Sequence, residues 1–435
     1  MADLSIDFCG IKSPNPFWLA SAPPTNSGYQ VNKAFEAGWG GAVWKTIGAP
    51  VMNTYNRYGG LDGPEQKLIG LNNIELISDR NLEVNLKEIA EVKKEWPDRA
   101  VIASLMVESD RDTWHDIVKK TEDTGCDGIE LNYGCPHGMS ERGMGAAVGQ
   151  VPEYCTMITE WVTETASIPI IVKLTPNVTD ITLSARAAVK GKADSLSLIN
   201  TINSIIGVDL DTFEPVPSVG GKGSHGGFAG PAVKPIALHM ISAISRDEEV
   251  NVPISGIGGI STWRDAAEFM LLGATNVQVC TAVMHYGFRI IEDMIDGMSN
   301  WLDEKGMGSV TEIIGKSVER ITDFGQLNLL YKTTARIDKD KCISCNLCYI
   351  VCEDAAHQCI DMKPYDGGVK PEIREDDCIG CRLCAMVCPV HECIEMVELD
   401  YKESKTWSEL EKELSDPLEW AELREFQKKH GIEIH

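Results

Sequence analysis

The segment Gly128–Gly145, GIELNYGCPHGMSERGMG, starts as a strand and then breaks into cysteine, proline, histidine and a glycine-rich run. A short apolar strand without polar alternation is typical of a parallel sheet that is covered on both faces. Cys135 follows the strand directly, so its thiol could pack, bind a metal or take part in chemistry. The neighbouring strands indicate which fold surrounds this cysteine, and hence which of the three roles applies.

Seven other segments have the same strand-like character and alternate with helical patterns. The eight predicted strands are Asn15–Ala22, Gly41–Ile47, Val101–Met106, Gly128–Tyr133, Ile170–Thr175, Ser195–Thr201, Val252–Gly259 and Asn276–Val283. Helical spacing occurs in Leu82–Trp96, Asp110–Thr124, Pro152–Thr165 and Thr262–Leu272. Eight βα units predict an α/β fold of the TIM (β/α)8 barrel type. A Rossmann fold is the alternative, and it is disfavoured because no G-x-G-x-x-G follows the first strand.

Polar residues cluster where the predicted strands end. They are Ser21, Lys45, Thr46, Asn132, Lys173, Asn200, Thr201, Gly258 and Gly259. The carboxyl ends of barrel strands form one rim, where active sites of this fold lie. Single members of the set could equally be caps or turns, but a ring of them predicts a functional site. Cys135 belongs to the same rim, which makes packing its lesser role.

Four segments are expected along the chain. Residues 1–315 form the catalytic barrel, 316–334 a connector with a short helix, 335–398 a small α+β module, and 399–435 a charged tail. The tail has helical patterns at Trp407–Glu413 and Pro417–Lys429. They are expected to be solvated surface helices.

Composition excludes several classes of function. The 435 residues carry a formal net charge of −25, whereas nucleic-acid binding needs a concentrated basic face. No apolar run reaches the roughly 18 residues of a membrane helix. The N-terminus has neither the basic nor the apolar region of a secretory signal, so we expect a cytoplasmic protein. Its fifteen cysteines must then be explained without structural disulfides.

Two cysteine runs share the spacing C-x2-C-x2-C-x3-C, and this is the bacterial two-cluster ferredoxin pattern. In that pattern the fourth cysteine of each run binds the cluster of the other run. One predicted [4Fe–4S] ligand set is therefore Cys342, Cys345, Cys348 and Cys388, and the other is Cys378, Cys381, Cys384 and Cys352. Zinc ribbons and disulfides are the alternatives; zinc rarely uses eight thiolates in two such runs. Cys359 and Cys393 fall outside the pattern and are expected to pack as thiols.

Two clusters in series carry single electrons, so the barrel should hold a group that converts them into two-electron chemistry. Flavin does this and nicotinamide alone cannot. Barrels bind phosphate at the loops after strands seven and eight, which here contain Gly258 and Gly259. Lys45 and Lys173 could face the negative charge of a reduced flavin. The sequence therefore predicts FMN.

The chain resembles the dihydropyrimidine dehydrogenases, in particular the FMN and iron–sulfur subunit of the bacterial NAD-dependent enzymes, and more distantly the dihydroorotate dehydrogenases. The resemblance extends from the start to about residue 398. It rests on NPFWLASA, AFEAGWGG, KTIG, NNIELIS, ELNYGCPHGM, VKLTPNVTDI, INTI, GPAVKPIAL, SGIGG and NLCYIVC. Where the family has a serine just before the cysteine, this chain has Gly134.

The resemblance implies roles by position. FMN-binding positions are Ala20, Ser21, Lys45, Thr46, Lys173, Gly230, Gly258, Gly259, Cys280 and Thr281. Substrate-binding positions are Asn73, Glu75, Asn132, Asn200 and Thr201, and the catalytic residue is Cys135, with Lys173 stabilising developing charge. His137 could be a turn residue or a proton relay, and the glycine-rich run after it could form a lid.

The implied reaction suits these residue types. Uracil and thymine alternate C=O and N–H groups, and asparagine carboxamides can donate to and accept from such an edge. Reduction needs a hydride from FMN N5 at C6 and a proton at C5. A thiol with a pKa near about 8.5 can supply that proton at neutral pH.

Electrons would come through the two clusters from a partner subunit that binds FAD and NAD(H). The family suggests a homodimer of this chain within a heterotetramer, with no nucleic acid and no membrane. Two alternatives remain open. One is a flavin iron–sulfur oxidoreductase of dihydroorotate or another cyclic amide, and the other is an electron-transfer subunit without catalysis of its own.

Overall fold

The computed structural model describes residues 2–49, 51–64, 66–136, 143–365, 368–399 and 404–409, with single positions at 425 and 429. The chain divides into two compact units, Met1–Ile321 and Thr322–His435. The finer predicted boundaries at 315, 334 and 398 stay predictions. Within the described ranges, no helix combines the length and the apolar character that crossing a bilayer requires.

Twenty strands are numbered in chain order. They are β1 Ile6–Phe8, β2 Ile11–Ser13, β3 Phe17–Leu19, β4 Gly41–Val43, β5 Tyr58–Leu61, β6 Gly70–Asn73, β7 Ala100–Leu105, β8 Gly128–Asn132, β9 Ile170–Lys173, β10 Ser195–Leu198, β11 Ile202–Ser204, β12 Gly207–Val208, β13 Pro215–Val216, β14 Gly226–Ala229, β15 Ile254–Ile257, β16 Ala274–Val279, β17 Thr333–Ile337, β18 Ile360–Tyr365, β19 Gly368–Ile373 and β20 Ile394–Glu398.

Twelve helices accompany them in the described residues. They are α1 Gly28–Ala37, α2 Leu82–Glu95, α3 Arg111–Glu122, α4 Ala146–Gly149, α5 Pro152–Thr163, α6 Ile181–Lys190, α7 Lys234–Ser245, α8 Trp263–Leu271, α9 Thr281–Tyr286, α10 Ile290–Glu304, α11 Leu347–Ala355 and α12 Leu383–Val387.

The first unit is a closed barrel of eight parallel strands. Its strands follow one another in chain order, as β3, β4, β7, β8, β9, β10, β15 and β16, and β16 then pairs with β3. All eight predicted strands are present, and the prediction of a TIM barrel rather than a Rossmann fold is confirmed. Each strand is short and most are buried along their whole length, as their near-continuous apolar sequences indicate.

Side-chain caps define where several barrel helices start. Asp110 accepts a hydrogen bond from the Thr113 N–H at the start of α3. Thr262 and Asp265 form a reciprocal capping box at the start of α8. Such caps satisfy the first N–H groups of a helix, which have no partner inside the helix. They explain why the predicted helical segments begin where they do.

A four-stranded antiparallel sheet in the first unit was not expected from the sequence. Its strand order is β11, β14, β6, β5, and a two-stranded hairpin of β12 and β13 follows β11 in the chain. The register places Tyr58 of β5 opposite Asn73 of β6, and Asn73 opposite Gly227 of β14. The sheet therefore holds one predicted substrate residue, Asn73.

The second unit contains two antiparallel strand pairs, β17 with β20 and β18 with β19, together with α11 and α12. Its core is formed largely by cysteines, with Ala335 and Ile360.

Between residues 306 and 334 the chain has three short 3-10 turns, at Val310–Ile313, Val318–Arg320 and Phe324–Gln326. In the tail, residues 407–409 and positions 425 and 429 are helical; the rest of both predicted tail helices lies outside the described residues.

Candidate active site

A cavity of about 1140 Å³ lies in the barrel unit. Its walls include the ends of the barrel strands β3, β4, β8, β9, β10, β15 and β16, together with the antiparallel sheet. All the predicted flavin and substrate residues line it, and so does Cys135. The structure thus brings the whole predicted set together around one space, while the individual roles stay predictions.

Three hydroxyl groups and an amide connect one side of this cavity. Ser21 Oγ lies 3.0 Å from Thr46 Oγ1, and it also accepts a hydrogen bond from the Thr46 N–H at 2.9 Å. Thr46 Oγ1 in turn lies 2.9 Å from Ser104 Oγ and accepts from Asn132 Nδ2 at 2.9 Å. The ends of β3, β4, β7 and β8 are therefore tied together by side chains, which holds this wall in one conformation.

A carboxylate lies between several partners on a second wall. Glu75 accepts from Lys45 Nζ at 2.6 Å and from the Tyr58 hydroxyl at 2.5 Å. Arg57 Nη1 lies 3.5 Å from the same oxygen of Glu75 that Lys45 contacts. Burial raises the pKa of Tyr58, and its hydrogen bond to Glu75 raises that pKa further, so Tyr58 remains a neutral phenol. Lys45 is thereby held at the cavity by an ion pair of which both members are largely buried.

The second predicted flavin lysine also has a buried carboxylate beside it. Lys173 Nζ lies 3.6 Å from Glu130 Oε1 inside the barrel. The other oxygen of Glu130 accepts from Ser197 Oγ at 2.9 Å and from Gln278 Nε2 at 3.4 Å. A fully buried carboxylate is costly unless it is paired, so this network accounts for the presence of Glu130 and orients Lys173.

Glycines with positive φ form the part of the cavity where a phosphate is expected. The φ angles are +97° at Gly230, +128° at Gly258 and +77° at Gly259. A Cβ atom on Gly259 would lie 2.8 Å from the Lys234 backbone nitrogen and 2.9 Å from the Gly230 carbonyl oxygen. The two loops therefore approach each other at a distance that only glycine permits. Backbone N–H groups exposed in this way suit phosphate oxygens, so the residues fit FMN.

Cys135 is 8% exposed and packs in a small apolar cluster with Val51, Ile77, Met106 and Met144. Its carbonyl oxygen accepts from the Ala146 N–H at 3.1 Å, which fixes the start of α4 against it. The thiol lines the main cavity together with Lys173 and Asn200. Of the predicted lid, residues 137–150, His137 and residues 138–142 lie outside the described residues, and residues 146–149 form α4.

Cys280 lies between β16 and α9 and also lines the cavity. Burial raises the pKa of its thiol to about 11, despite the opposing effect of Lys173. Cys126 and Cys155 are buried within the apolar core of the barrel, and Cys9 packs against that core. Burial raises the pKa of Cys155 to about 12, and its Sγ lies 3.7 Å from the Ser184 carbonyl oxygen. Those three cysteines are packed thiols.

The second unit contains two further cavities that are lined by cysteines. One, of about 350 Å³, is lined by Cys352, Cys359, Cys378, Cys381 and Cys384. The other, of about 320 Å³, is lined by Cys342, Cys345, Cys348, Cys388 and Cys393. Each cavity combines three cysteines of one run with the fourth of the other run, which is the grouping that the spacing predicts. Four thiols around such a space are the donor set of a [4Fe–4S] cluster.

The described residues contain no group of three or more His, Cys, Asp or Glu side chains arranged to hold a single metal ion. All fifteen cysteines lie in the described part of the chain and each is a free thiol. Each cluster cavity also has a fifth cysteine in its wall. Cys359 Sγ lies 3.6 Å from Cys352 Sγ, and Cys393 Sγ lies 3.6 Å from the Asp338 carbonyl oxygen.

Three residues of the barrel site were missed by sequence reasoning. Tyr58 lies in an unpredicted strand, and Gln278 and Glu130 lie inside predicted strands. Glu130 and Gln278 could have been noticed in the sequence, because each places a charged or polar side chain inside an otherwise apolar strand. Such an exception to a buried pattern is itself a sign of a functional network.

The fold and the site define the class: a barrel oxidoreductase with a cysteine-rich second unit. The chain belongs to the dihydroorotate dehydrogenase family, whose model matches residues 3–302, and a 4Fe-4S dicluster domain matches residues 335–396. The resemblance predicted from the sequence is thereby confirmed.

Curated relatives cover most of the chain. The NAD-dependent dihydropyrimidine dehydrogenase subunit PreA of Escherichia coli (strain K12) is 42% identical over 82% of this chain and 87% of its own length. The chloroplastic dihydropyrimidine dehydrogenase (NADP(+)) of Arabidopsis thaliana is 40% identical over 74% of this chain and 78% of its own length. The catalytic subunit of dihydroorotate dehydrogenase B (NAD(+)) from Pyrococcus furiosus is 36% identical over 72% of this chain and 98% of its own length.

Proposed function

We propose that this chain is the catalytic subunit of a dihydropyrimidine dehydrogenase that interconverts uracil or thymine and the 5,6-dihydropyrimidine. The observation that carries the proposal is the single cavity in which a glycine-lined phosphate site, two buried lysines, a ring of asparagines and Cys135 all meet. The names of the Escherichia coli and Arabidopsis thaliana relatives support the same reaction.

FMN is the proposed cofactor of the cavity. Gly230, Gly258 and Gly259 would hold its phosphate through backbone N–H groups, with Thr281 beside them in the cavity wall. Lys45 and Lys173 are held by Glu75 and Glu130, and they would provide positive charge to bound FMN. When bound, FMN would exchange a hydride with the ring and single electrons with iron–sulfur clusters.

The substrate ring is proposed to bind against the asparagines. Asn132 and Asn200 lie at the ends of β8 and β10, and Asn73 is held by a hydrogen bond from its Nδ2 to the Gly227 carbonyl oxygen at 3.0 Å. Carboxamides can pair with the C=O and N–H groups of a pyrimidine edge. A buried polar site of this kind penalises rings that lack those groups.

Cys135 is proposed to move the proton at C5 of the ring. Its thiol is enclosed by Val51, Ile77, Met106 and Met144, which exclude water from its other side. A thiol in such a position can give up its proton to a developing carbanion and regain one when the ring leaves. Lys173, held by Glu130, would stabilise negative charge during this transfer.

Two [4Fe–4S] clusters are proposed in the two cysteine-lined cavities, with ligands grouped as the spacing predicts. They would connect the barrel with a partner subunit that binds FAD and NAD(H). The description of the Escherichia coli and Pyrococcus furiosus relatives as subunits supports a partner. The fifteen free cysteines support a reducing, cytoplasmic location.

A homodimer is also proposed, and it is supported by exposed apolar side chains beside the antiparallel sheet. Tyr55, Leu210 and Phe213 are 91%, 83% and 81% exposed. The loop with Tyr55 is joined to the hairpin region by a hydrogen bond from Asn56 Nδ2 to the Ser218 carbonyl oxygen at 2.6 Å. Large apolar side chains that are this exposed occur at protein interfaces.

The test is anaerobic turnover of uracil by the FMN-loaded, cluster-replete chain with an artificial electron donor. Formation of dihydrouracil is the expected result, and its absence would overturn the proposed reaction. A parallel assay with dihydroorotate, thymine and other cyclic amides addresses the second candidate, which the Pyrococcus furiosus relative favours. Flavin bleaching by dihydroorotate but not by dihydrouracil would support that candidate instead.

A further inference from the structure

Gly134 follows the end of β8 and has no side chain, and Asn200 fills the space that a side chain there would need. A Cβ atom built on Gly134 would lie 2.4 Å from Asn200 Cβ, 2.5 Å from Asn200 Nδ2 and 2.7 Å from Asn200 Cγ. Real Cβ atoms do not approach other atoms this closely. Asn200 therefore occupies the space that any side chain at position 134 would need.

The closest of these contacts cannot be relieved by rotating a side chain. The position of Asn200 Cβ is fixed by its own backbone, and the Cβ of residue 134 would likewise be fixed by backbone. Any residue larger than glycine must therefore move the loop after β8 or the end of β10. The equivalent argument holds at the next residue, Thr201, because a Cβ on Gly227 would lie 2.6 Å from Thr201 Cβ.

This close approach allows Asn200 to pair with Asn132. Asn200 Nδ2 donates to Asn132 Oδ1 at 2.9 Å, and the Gly134 N–H donates to the same oxygen at 3.2 Å. The Thr201 N–H donates to Asn200 Oδ1 at 2.8 Å. Because backbone N–H groups can only donate, they fix the orientation of both carboxamides.

The hydrogen bonds of Asn132 and Asn200 determine which of their donors and acceptors remain for a ligand. Among the hydrogen bonds of the described residues, Asn132 uses one N–H on Thr46 and both lone pairs of its oxygen, so one N–H remains. Asn200 uses one N–H and one lone pair, so one N–H and one lone pair remain. Two donors and one acceptor complement a ring edge in which two carbonyl groups flank an N–H.

We propose that Gly134 is a specificity-determining residue of the ring pocket: by having no side chain, it seats the Asn200 carboxamide against Asn132 and fixes the hydrogen-bonding groups that the pair offers to an imide edge. The inference rests on the proposed function and deepens it. Gly134 touches no substrate itself and acts through the position of Asn200.

The test measures uracil binding to the oxidised, FMN-loaded full chain through the change in flavin absorbance. Gly134→Ala should weaken uracil binding about 10-fold or more while FMN content stays unchanged, because both carboxamides are displaced from the positions in which they can bind the ring edge. Gly134→Ser should behave like Gly134→Ala. Gly308→Ala is the matched control, because its Cβ would meet nothing closer than 3.6 Å and binding should be unchanged.

A double variant isolates the contact. In an Asn200→Gly background the added Cβ no longer meets Asn200, so Gly134→Ala should cause little further weakening of uracil binding. If the single variant fails to fold, recovery of folding in the double variant supports the proposal, and no recovery overturns it. Equal losses from Gly134→Ala in both backgrounds would overturn it as well.

Two outcomes separate this inference from the proposed function. If Gly134→Ser binds uracil as tightly as wild type, or more tightly, the inference fails while dihydropyrimidine chemistry stands. Wild-type protein that binds no pyrimidine overturns both. A third measurement uses N3-methyluracil, which lacks the imide N–H; it should bind wild type at least about 10-fold more weakly than uracil does.

Discussion

Replacing Lys173 by methionine should destabilise the barrel, because it leaves Glu130 as a buried carboxylate without its cation. Lys173 Nζ lies 3.6 Å from Glu130 Oε1, and the two side chains are 6% and 0% exposed. At an effective dielectric constant of about 20, their attraction amounts to about 4–5 kcal/mol. Removing one partner of a buried pair typically costs about 3–5 kcal/mol. We therefore expect the free energy of unfolding to fall by about 3–5 kcal/mol.

The assay is thermal melting of flavin-free protein, followed by circular dichroism. At roughly 2 °C per kcal/mol for a barrel of this size, the expected fall in Tm is about 6–10 °C. Flavin-free protein is used because Lys173 is also a predicted FMN residue, and loss of cofactor would lower Tm by itself.

The matched control is the double variant Lys173→Met/Glu130→Gln. Glutamine keeps the shape of Glu130 and can still hydrogen-bond Ser197, while the uncompensated charge is gone. Most of the lost Tm should therefore return, since replacing both members of a buried pair is often close to neutral. A double variant that melts as low as Lys173→Met alone would refute the reasoning.

Three further predictions follow from the site and its surroundings. Cys135→Ala should lower the rate of uracil reduction about 10²–10⁴-fold, with unchanged FMN and iron content. Anaerobic turnover measures the rate, and absorbance measures the cofactors. Turnover at the wild-type rate would show that Cys135 is not the acid. Cys352→Ser should lose about half of the iron, because it removes a predicted cluster ligand. Cys359→Ser changes a cysteine in the wall of the same cavity and should keep all of the iron. Iron analysis after anaerobic purification distinguishes the ligand from its neighbour. Asp265→Asn should lower Tm at pH 7, and the difference should shrink as the pH falls below the usual range of an aspartate. Burial acts to raise the pKa of Asp265, yet Lys234 and the Ser261 N–H outweigh it, so the net pKa is lowered and the carboxylate stabilises the fold only where it is ionised. A Tm difference that does not shrink in acid would contradict that assignment.

The barrel and the cluster motif could be predicted because each rests on a local pattern. Eight apolar segments with helices between them have few alternative arrangements, and the two cysteine runs have a spacing with a specific meaning. The rim residues followed from the same reasoning, since strand ends in a barrel meet at one edge. In these cases neighbours in the sequence determine neighbours in space.

The antiparallel sheet beside the barrel was missed for a physical reason. Its strands are short and contain glycine and asparagine, as in Gly70–Asn73 and Gly226–Ala229, so they have little intrinsic tendency to form strands. Their pairing is stabilised by the fold around them. Tyr58, which contacts Glu75 from this sheet, could not be found without that pairing.

The contact between Gly134 and Asn200 is a second kind of information that the sequence does not carry. Residues 134 and 200 lie far apart in the chain, and neither has an unusual local pattern. Read alone, Gly134 is one glycine in a glycine-rich segment. In the structure Asn200 occupies the space that a side chain at position 134 would need, so packing requires the glycine.

The asparagine pair also bears on the energetics of ligand binding. Asn132 and Asn200 are held by backbone N–H groups and by Thr46, so their free groups are oriented in the folded protein before any ring arrives. Ordering a polar side chain on binding typically costs about 0.5–1.5 kcal/mol, and here folding has already met that cost for both residues. A site ordered in this way loses affinity steeply when the support is disturbed, because the carboxamides then have alternative partners. Substitutions at Gly134 should therefore affect ring affinity as strongly as substitutions of Asn132 and Asn200, the asparagines proposed to bind the ring.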